Sequence, residues 1–329
     1  MYDVAYQLTL GLNKVIEVNY YPTAETRNSN MKHRPIGIGV QGLADAFAIM
    51  GLEFGGEGSK KLNEDIFETI YYAAMEASID LAKKYGPYDS YEGSPLSTGQ
   101  FQFNLWGFTE DQLSGRWDWA ALRKKLMKYG ARNSLLLAPM PTASTAQIMG
   151  NNEAFEPFTS NLGTRRTLAG EFVTVNKHLV RDLVELDLWN ENMRNRIILE
   201  KGSIQNIEEI PAELRLIYKT VWEISQKTII DMSADRGKFI CQSQSLNLYI
   251  RDVNTAKLTS AHFHSWKKGL KTGMYYLRTE AANSAIAGLG VDITKQKAQI
   301  PVEVLSYQQD AEDIVCSLDN PEDCISCGS

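Results

Sequence analysis

The sequence contains little cysteine, little histidine and no excess of positive charge. Four of its 329 residues are cysteines and four are histidines, while 34 Lys and Arg stand against 40 Asp and Glu, for a net charge of −6. Proteins bind nucleic acids largely through clustered Lys and Arg side chains, which displace the counterions of the phosphates. This chain has no such basic cluster, so no nucleic-acid partner is expected. The few cysteines are typical of a cytoplasmic protein with reduced thiols.

Long apolar runs are absent as well. No run approaches the roughly 20 residues that a membrane-spanning helix requires. The first residues show neither the basic region nor the apolar core of a secretion signal. We therefore expect a cytoplasmic protein with no membrane partner. The apolar content of 43% is near the average of globular proteins, so a large hydrophobic core is possible.

Apolar residues recur at helical and at strand-like spacings in alternation. An apolar face from Leu62 to Leu81 predicts a helix over 61–85, and the short apolar runs 36–40 and 133–138 are typical of buried strands. Strands that alternate with long helices indicate an α/β architecture with a largely parallel sheet. The same patterns predict a helix at 117–129, a polar turn region at 151–170, helices at 176–189 and 212–235, a strand at 239–250, a helix at 262–271 and a strand at 274–277.

The end of the chain has a different composition. Beyond about Ala281, small and polar residues dominate without periodicity, which predicts a flexible tail at 281–329 behind a folded domain at 1–280. The tail ends on a C-x-x-C pair, Cys324 and Cys327. Such a pair is usually a redox motif or half of a zinc site. A zinc site needs a second close pair of ligands, which the sequence does not place near the tail, so we predict a mobile dithiol and no metal site.

A cluster of hydroxyls lies where the predicted strand at 133–138 leads into a helix. Free backbone N–H groups and the dipole at a helix start favour an anion, and hydroxyls add donors, so a phosphate could bind here. The alternative is an ordinary N-cap, in which the hydroxyls only satisfy the first helical N–H groups. The candidate residues are Pro141, Thr142, Ala143, Ser144 and Thr145.

Two neighbouring tyrosines, Tyr275 and Tyr276, lie in the predicted strand at 274–277. Ordinary aromatic packing would account for them. Neighbours in a flat strand point to opposite faces, so contact between the two rings requires a bend or the strand end, for which Gly273 gives freedom. Among the remaining candidates, Cys241 is expected to be an inert core residue, and the four scattered histidines are expected to serve packing or the surface.

Six stretches in this order resemble the large, catalytic subunit of class I ribonucleotide reductase, in particular its eukaryote-like branch. The likeness covers nearly the whole chain except about 283–313, and it returns at the terminal cysteine pair. The stretches are HRPIGIGVQGLAD (33–45), YEGSP (91–95), PMPTASTAQ (139–147), YKTVWEISQ (218–226), QSQSLN (242–247) and GLKTGMYYLR (269–278).

The resemblance implies a fold and an activity. The fold would be roughly the second half of a ten-stranded α/β barrel, followed by the flexible tail. The activity would be the reduction of ribonucleoside diphosphates to deoxyribonucleoside diphosphates by thiyl-radical chemistry, for DNA synthesis. Such an enzyme is an oxidoreductase that depends on thioredoxin or glutaredoxin for electrons.

The resemblance also implies a role for each motif. The turn from Pro141 to Thr145 would hold the diphosphate of the substrate. Tyr275 and Tyr276 would be the last stations of a radical path, with Tyr275 nearer to a cysteine in the barrel centre. Cys324 and Cys327 would reduce the active-site disulfide again after each turnover.

Cofactors and partners follow from the same resemblance. No cofactor would be bound by this chain, because a metal-containing small subunit would supply the radical. Sites for ATP and deoxynucleotide effectors would lie in the part of the family's protein that precedes the segment matching Met1. The full-length large subunit would form a homodimer. The other partners would be the nucleoside diphosphate and thioredoxin or glutaredoxin.

The radical cysteine of the family, its flanking asparagine and glutamate, and the two reducing cysteines also precede that segment, and Cys241 matches none of them. The chain is therefore expected to be a C-terminal part that is inactive alone. Two alternatives remain open. One is a truncated, non-catalytic remnant that docks the small subunit near 262–276. The other is a thiol–disulfide carrier that relies only on the terminal pair.

Overall fold

The computed structural model describes residues 1–167 and 170–280, and the predicted tail at 281–329, with Cys324 and Cys327, lies outside these ranges. Within them the chain forms twelve α-helices and four short strands. The helices are α1 (Tyr2–Val18), α2 (Ala24–His33), α3 (Leu43–Ile49), α4 (Glu57–Tyr85), α5 (Gln102–Leu105), α6 (Trp119–Tyr129), α7 (Ala143–Met149), α8 (Lys177–Glu185), α9 (Glu191–Leu199), α10 (Ala212–Ile217), α11 (Gln226–Gly237) and α12 (Thr255–Lys267). The strands are β1 (Leu162–Thr167), β2 (Gly170–Val175), β3 (Leu248–Tyr249) and β4 (Leu277–Arg278).

Helix α4 is the centre of the larger hydrophobic core. It spans 29 residues and buries one long face that includes Phe67, Ala74 and Ile79. Helices α1, α6 and α11 pack against it. Gly86, with φ of 82°, ends the helix in a conformation that other residues rarely adopt. The predicted helix at 61–85 is confirmed and begins about one turn earlier. In the described ranges, no helix has the length and hydropathy that crossing a membrane requires.

Four extended segments lie side by side. The N–H of Ile36 donates to the carbonyl of Leu135 at 3.0 Å, and Ile38 pairs in parallel with Leu137. The N–H of Gln242 donates to the carbonyl of Leu137 at 3.2 Å, and β3 pairs in parallel with β4. The predicted mixture of helices with parallel extended segments is therefore present, although the residues described here contain no closed barrel. The row consists of the segments at 36–38, 135–139, 242–249 and 275–278.

A smaller hydrophobic core lies beneath α8 and α9. Contacts with this core interrupt the predicted helix at 212–235, so that prediction is wrong. The structure has α10 and α11 with a non-helical segment between them. Tyr218 in that segment is fully buried and donates its hydroxyl to Asp182 at 2.5 Å. The N–H of Val221 donates to the carbonyl of Phe158 at 2.8 Å. Tertiary contacts on both sides of the segment have overridden its helical periodicity.

Other predicted elements differ in extent. The predicted strand at 239–250 is reduced to β3, because its backbone bonds to its neighbours only intermittently. The polar turn region at 151–170 instead ends in an antiparallel hairpin of β1 and β2. The predicted helix at 262–271 is α12, which begins earlier because the side chain of Asn254 caps it by accepting from the N–H of Lys257 at 2.8 Å.

Candidate functional site

The predicted phosphate turn lies between the extended segment 135–139 and α7. Thr142 is the residue before the helix, and its side chain is buried. Its hydroxyl oxygen accepts the N–H of Ala154 at 2.6 Å and caps no N–H of α7. Thr142 therefore anchors the turn to the following loop, and the simple N-cap interpretation does not describe it.

The first turn of α7 faces solvent. The side chains of Ser144 and Thr145 are exposed. The first hydrogen bond of the helix runs from the N–H of Ala146 to the carbonyl of Thr142 at 2.8 Å. The three preceding N–H groups have no acceptor inside the helix, as at every helix start. The hydroxyl of Thr145 also donates to the carbonyl of Thr142 at 3.4 Å. A helix start with such N–H groups and exposed hydroxyl side chains suits an oxyanion.

The two predicted radical tyrosines are in contact. The ring centroids of Tyr275 and Tyr276 are 4.4 Å apart and the planes meet at 72°, so one ring edge faces the other ring. Tyr275 lies at a bend just before β4, as ring contact between sequence neighbours requires. Each ring is about half exposed, 47% for Tyr275 and 51% for Tyr276. A hydrogen bond with Tyr276 raises the pKa of Tyr275.

One extended segment connects the turn with the tyrosine pair. The N–H of Ser245 donates to the carbonyl of Pro139, two residues before the turn, at 3.1 Å. The N–H of Tyr275 donates to the carbonyl of Leu246, at the other edge of the same segment, at 2.6 Å. The structure therefore places both predicted sites on extended segments that flank the same central segment, 242–249.

A buried polar network, which the sequence patterns do not predict, lies behind the tyrosine pair. The N–H of Tyr276 donates to the side-chain oxygen of Asn247 at 3.2 Å, and the Asn247 amide donates to Glu156 at 2.6 Å. The hydroxyl of Tyr249 donates to the second carboxylate oxygen of Glu156. Glu156 is 6% exposed, and this burial raises its pKa. Asn247 belongs to the QSQSLN stretch, and this resemblance is the one feature of the sequence that points to the network.

A cleft of about 750 Å³ opens beside this network. Its walls come from the end of α7, the loop that follows it, the β1–β2 hairpin and the segment around β3 and β4. Glu156, Tyr249 and Arg278 contribute polar groups to it. The predicted substrate residues 141–145 do not line this cleft. The phosphate turn and the cleft are therefore separate features at the two ends of α7.

The remaining candidate ligands have structural partners. Cys241 is a free thiol beside the larger core, and burial raises its pKa, as expected of an inert residue. His178 is paired with Asp45 at 2.9 Å, and His264 with Asp231 at 2.8 Å. In the described part of the chain, no cluster of three His, Cys, Asp or Glu could hold a metal ion.

Comparisons with known proteins cover nearly the whole chain. A family model described as ribonucleotide reductase, barrel domain, matches residues 1–276. Over 99% of its length the chain is 55% identical to the ribonucleoside-diphosphate reductase large subunit of Arabidopsis thaliana, of which it covers 40%. It is 53% identical over its full length to the ribonucleoside-diphosphate reductase large chain of Schizosaccharomyces pombe, of which it covers 43%.

A solved structure gives the same result at lower identity. The alpha subunit of the class Id ribonucleotide reductase of Actinobacillus ureae is similar with a TM-score of 0.65 and 26% identity. The match covers 86% of this chain and 46% of that chain. The chain therefore spans about two fifths of the length of the curated relatives it matches.

Proposed function

The chain belongs to the ribonucleotide reductase barrel-domain family, and we propose that it forms the C-terminal part of a ribonucleoside-diphosphate reductase large subunit. Residues 1–280 would supply roughly the second half of a ten-stranded barrel. The row of four neighbouring extended segments, flanked by long helices, supports this proposal. The complete enzyme would reduce ribonucleoside diphosphates by thiyl-radical chemistry in the cytoplasm.

The observation that carries the proposal is the contact between Tyr275 and Tyr276. Phenols in contact can exchange an electron over a very short distance, and each can lose its proton as it is oxidised. Their half-exposed position leaves both rings within reach of a partner that delivers a radical. Tyr276 would receive the oxidising equivalent from a metal-containing small subunit, and Tyr275 would pass it towards the catalytic cysteine.

The turn from Pro141 to Thr145 would hold the substrate diphosphate. The side chains of Ser144 and Thr145 are exposed at the start of α7, where the first N–H groups have no acceptor inside the helix. A diphosphate carries the negative charge that such a helix start favours. Thr142 would contribute by fixing the turn, because its hydroxyl is bonded to the N–H of Ala154.

The tail at 281–329 would act as a swinging dithiol. Between Ala281 and Cys324 a flexible chain has a root-mean-square span of ~35 Å, enough to move between a cleft and the surface. Cys324 and Cys327 would reduce the active-site disulfide through a mixed disulfide, and thioredoxin or glutaredoxin would reduce them in turn. The ATP and deoxynucleotide effector sites and the homodimer contacts would belong to the remainder of the large subunit.

A second candidate function is docking of the small subunit without catalysis. Four aromatic side chains on and beside α12 are at least 47% exposed, which favours a protein-binding surface. This function requires the surface but neither tyrosine hydroxyl. The four are Phe263, Trp266, Tyr275 and Tyr276.

A chimera tests the proposal. Residues 1–329 would replace the corresponding C-terminal part of the Arabidopsis thaliana large subunit, and the chimera would be assayed with small subunit, effector and thioredoxin for deoxynucleotide formation. We expect multiple turnover from the chimera. Cys324→Ser and Cys327→Ser should abolish multiple turnover but allow a single turnover of pre-reduced protein. Normal multiple turnover in either variant would contradict the role of the tail.

A further inference from the structure

A second set of oxidisable rings forms a continuous series of contacts from the core to the surface. The inner rings, Tyr71 and Trp119, are 1% and 2% exposed, and Tyr72 is 8% exposed. Trp117, Tyr2 and Tyr6 are only partly buried. We call this series the aromatic relay. Its successive centroid distances are 5.7 Å for Tyr71–Trp119, 5.0 Å for Trp119–Tyr72, 4.9 Å for Tyr72–Trp117, 5.3 Å for Trp117–Tyr2 and 6.2 Å for Tyr2–Tyr6.

A buried carboxylate accepts the N–H of the inner tryptophan. The indole Nε1 of Trp119 donates to Glu68 at 3.0 Å, and the other oxygen of Glu68 accepts the N–H of Ser114 at 3.3 Å. Glu68 is 1% exposed and forms no ion pair with any side chain in the described ranges. An indole that has lost an electron becomes a strong acid, so Glu68 stands where the released proton would go.

The outer tyrosines are paired with carboxylates as well. Tyr2 donates its hydroxyl to Glu76, which Lys125 also contacts at 2.5 Å, and Tyr6 donates to Asp80 at 2.9 Å. Burial and the bond to Asp80 raise the pKa of Tyr6 to about 12, and burial and Glu76 raise the pKa of Tyr2. Both phenols are therefore protonated at neutral pH, and each donates its proton in a hydrogen bond to a carboxylate.

Packing alone does not require this arrangement. Phe101 and Phe103 pack edge-on against Trp119 and supply ring contacts without any polar group. Burying the charge of Glu68 costs free energy unless the charge is used or well compensated, and its partners here are two neutral N–H groups. The repeated pairing of an oxidisable ring with a carboxylate at Trp119, Tyr2 and Tyr6 points to proton-coupled oxidation.

We propose that the aromatic relay carries one-electron oxidising equivalents from the core to the surface beside α1. The oxidant is a small radical of high potential, such as a thiyl radical in the protein or an azide radical in solution. Electrons move inward from Tyr6 as the oxidised site moves outward. The relay shares no residue with the proposed substrate turn or with Tyr275 and Tyr276, so its test is independent of the proposed function.

The outer steps balance as follows for an azide radical. The radical takes one electron from Trp117 and becomes azide, and the indole N–H, bonded to Thr69 at 3.3 Å, loses its proton towards solvent. Tyr2 then reduces Trp117, its phenolic proton moves to Glu76, and the indole regains a proton from solvent. Tyr6 reduces the Tyr2 radical, giving its own proton to the neighbouring carboxylate while Glu76 returns a proton to Tyr2. A soluble reductant such as ascorbate finally restores Tyr6 by donating a hydrogen atom, and Asp80 releases the proton that it accepted from Tyr6 to solvent.

Pulse radiolysis of the 329-residue chain tests the relay. Azide radicals oxidise indoles, and the decay of the indolyl absorption band can be compared with the growth of the tyrosyl band. The parent protein would carry Trp266→Phe, because Trp266 is 71% exposed, and Trp222→Phe, because Trp222 contacts Tyr249. We expect tyrosyl formation whose rate is independent of protein concentration. Tyr2→Phe and Trp117→Phe should each remove this fast phase.

Two matched controls separate the relay from general effects. Tyr20→Phe removes a phenol that is 84% exposed and should leave the fast phase unchanged. Glu76→Gln keeps the shape but removes the base, so it should slow tyrosyl formation, whereas Glu57→Gln, at a side chain 95% exposed, should not. Circular dichroism checks that each variant is folded. A fast phase that survives both Tyr2→Phe and Trp117→Phe, or a rate proportional to protein concentration, would overturn the proposal.

Discussion

At the residue scale, the hydroxyls of one turn have different tasks. Thr142 is buried and accepts the N–H of Ala154, whereas Ser144 and Thr145 face solvent at the start of α7. The sequence grouped these residues because hydroxyls are common both at caps and at phosphate sites. Only the structure separates the buried anchor from the two exposed side chains, of which Thr145 also donates its hydroxyl to the carbonyl of Thr142.

Substitutions at this turn should affect stability and binding separately. Thr142→Ala should lower the free energy of unfolding by about 1–3 kcal/mol, because a buried N–H loses its acceptor. Ser144→Ala should leave unfolding nearly unchanged but weaken diphosphate binding in the chimera by about 1–2 kcal/mol. Urea unfolding and calorimetric titration measure the two effects. A large stability loss in Ser144→Ala with unchanged nucleotide affinity would favour the N-cap alternative.

The raised pKa of Glu156 predicts a pH-dependent stability. Its ordinary value is 4.5, and burial raises it in the folded state. The folded protein therefore holds a proton that the unfolded chain has released, and the stability from this group falls as pH rises from about the ordinary value through the folded pKa. The unfolding free energy of the wild type minus that of Glu156→Gln should decrease with pH across this window and stay constant above it.

Urea unfolding of both proteins between pH 4 and pH 8, roughly the range over which a raised carboxyl titrates, measures this difference. Glu57→Gln is the control, because its side chain is 95% exposed. A difference that increases with pH would mean that Glu156 is held as a stabilised carboxylate, contrary to the direction derived from its burial.

At the element scale, a buried arginine joins α11 to α4 and to the sheet. Arg236 is 1% exposed and donates to Gln244 at 2.6 Å and to Asn63 of α4 at 3.3 Å. Its guanidinium also lies 4.0 Å from the ring centroid of Phe155. The charge is therefore satisfied by neutral oxygens and an aromatic face.

Removing this connection should destabilise the fold strongly. We expect Arg236→Ala to cost about 3–5 kcal/mol of unfolding free energy, because it leaves a cavity and buried acceptors without donors. Arg194→Ala, at a surface side chain 46% exposed, should cost much less. Denaturant unfolding of both variants gives the comparison, and similar losses in the two would contradict a specific role of Arg236.

The sequence predicts well those elements that bury one continuous face against a single core. Helix α4 has a single buried face, so its periodicity was enough. The break at 218–225 was missed because apolar residues continue through it and contact a second core. Glu156 was missed because its partner Asn247 is 91 positions away, and no local pattern reports such a contact. The patterns of the tyrosine pair and of the hydroxyl turn stand out in the sequence, but their roles rest on the resemblance, since ordinary packing or capping explains the local patterns equally well.

At the scale of the whole molecule, the sheet places the candidate sites in one neighbourhood. The segment 242–249 bonds on one side to the strand that leads into the phosphate turn, and on the other to the strand that carries Tyr275 and Tyr276. A radical path that ends near a bound substrate needs such proximity. The proposed function assigns substrate binding and radical transfer to these two neighbouring features, and the chain itself spans about two fifths of the length of its curated relatives.

The most direct test of this account is the effect of Tyr275→Phe on deoxynucleotide formation by the chimera with the Arabidopsis thaliana large subunit. The change keeps the ring and its contact with Tyr276 but removes the hydroxyl that proton-coupled oxidation needs. Tyr20→Phe is the matched control, since its ring is 84% exposed and distant in sequence from both sites. The account predicts loss of turnover in Tyr275→Phe with unchanged melting temperature and nucleotide affinity. Turnover retained in Tyr275→Phe would contradict it.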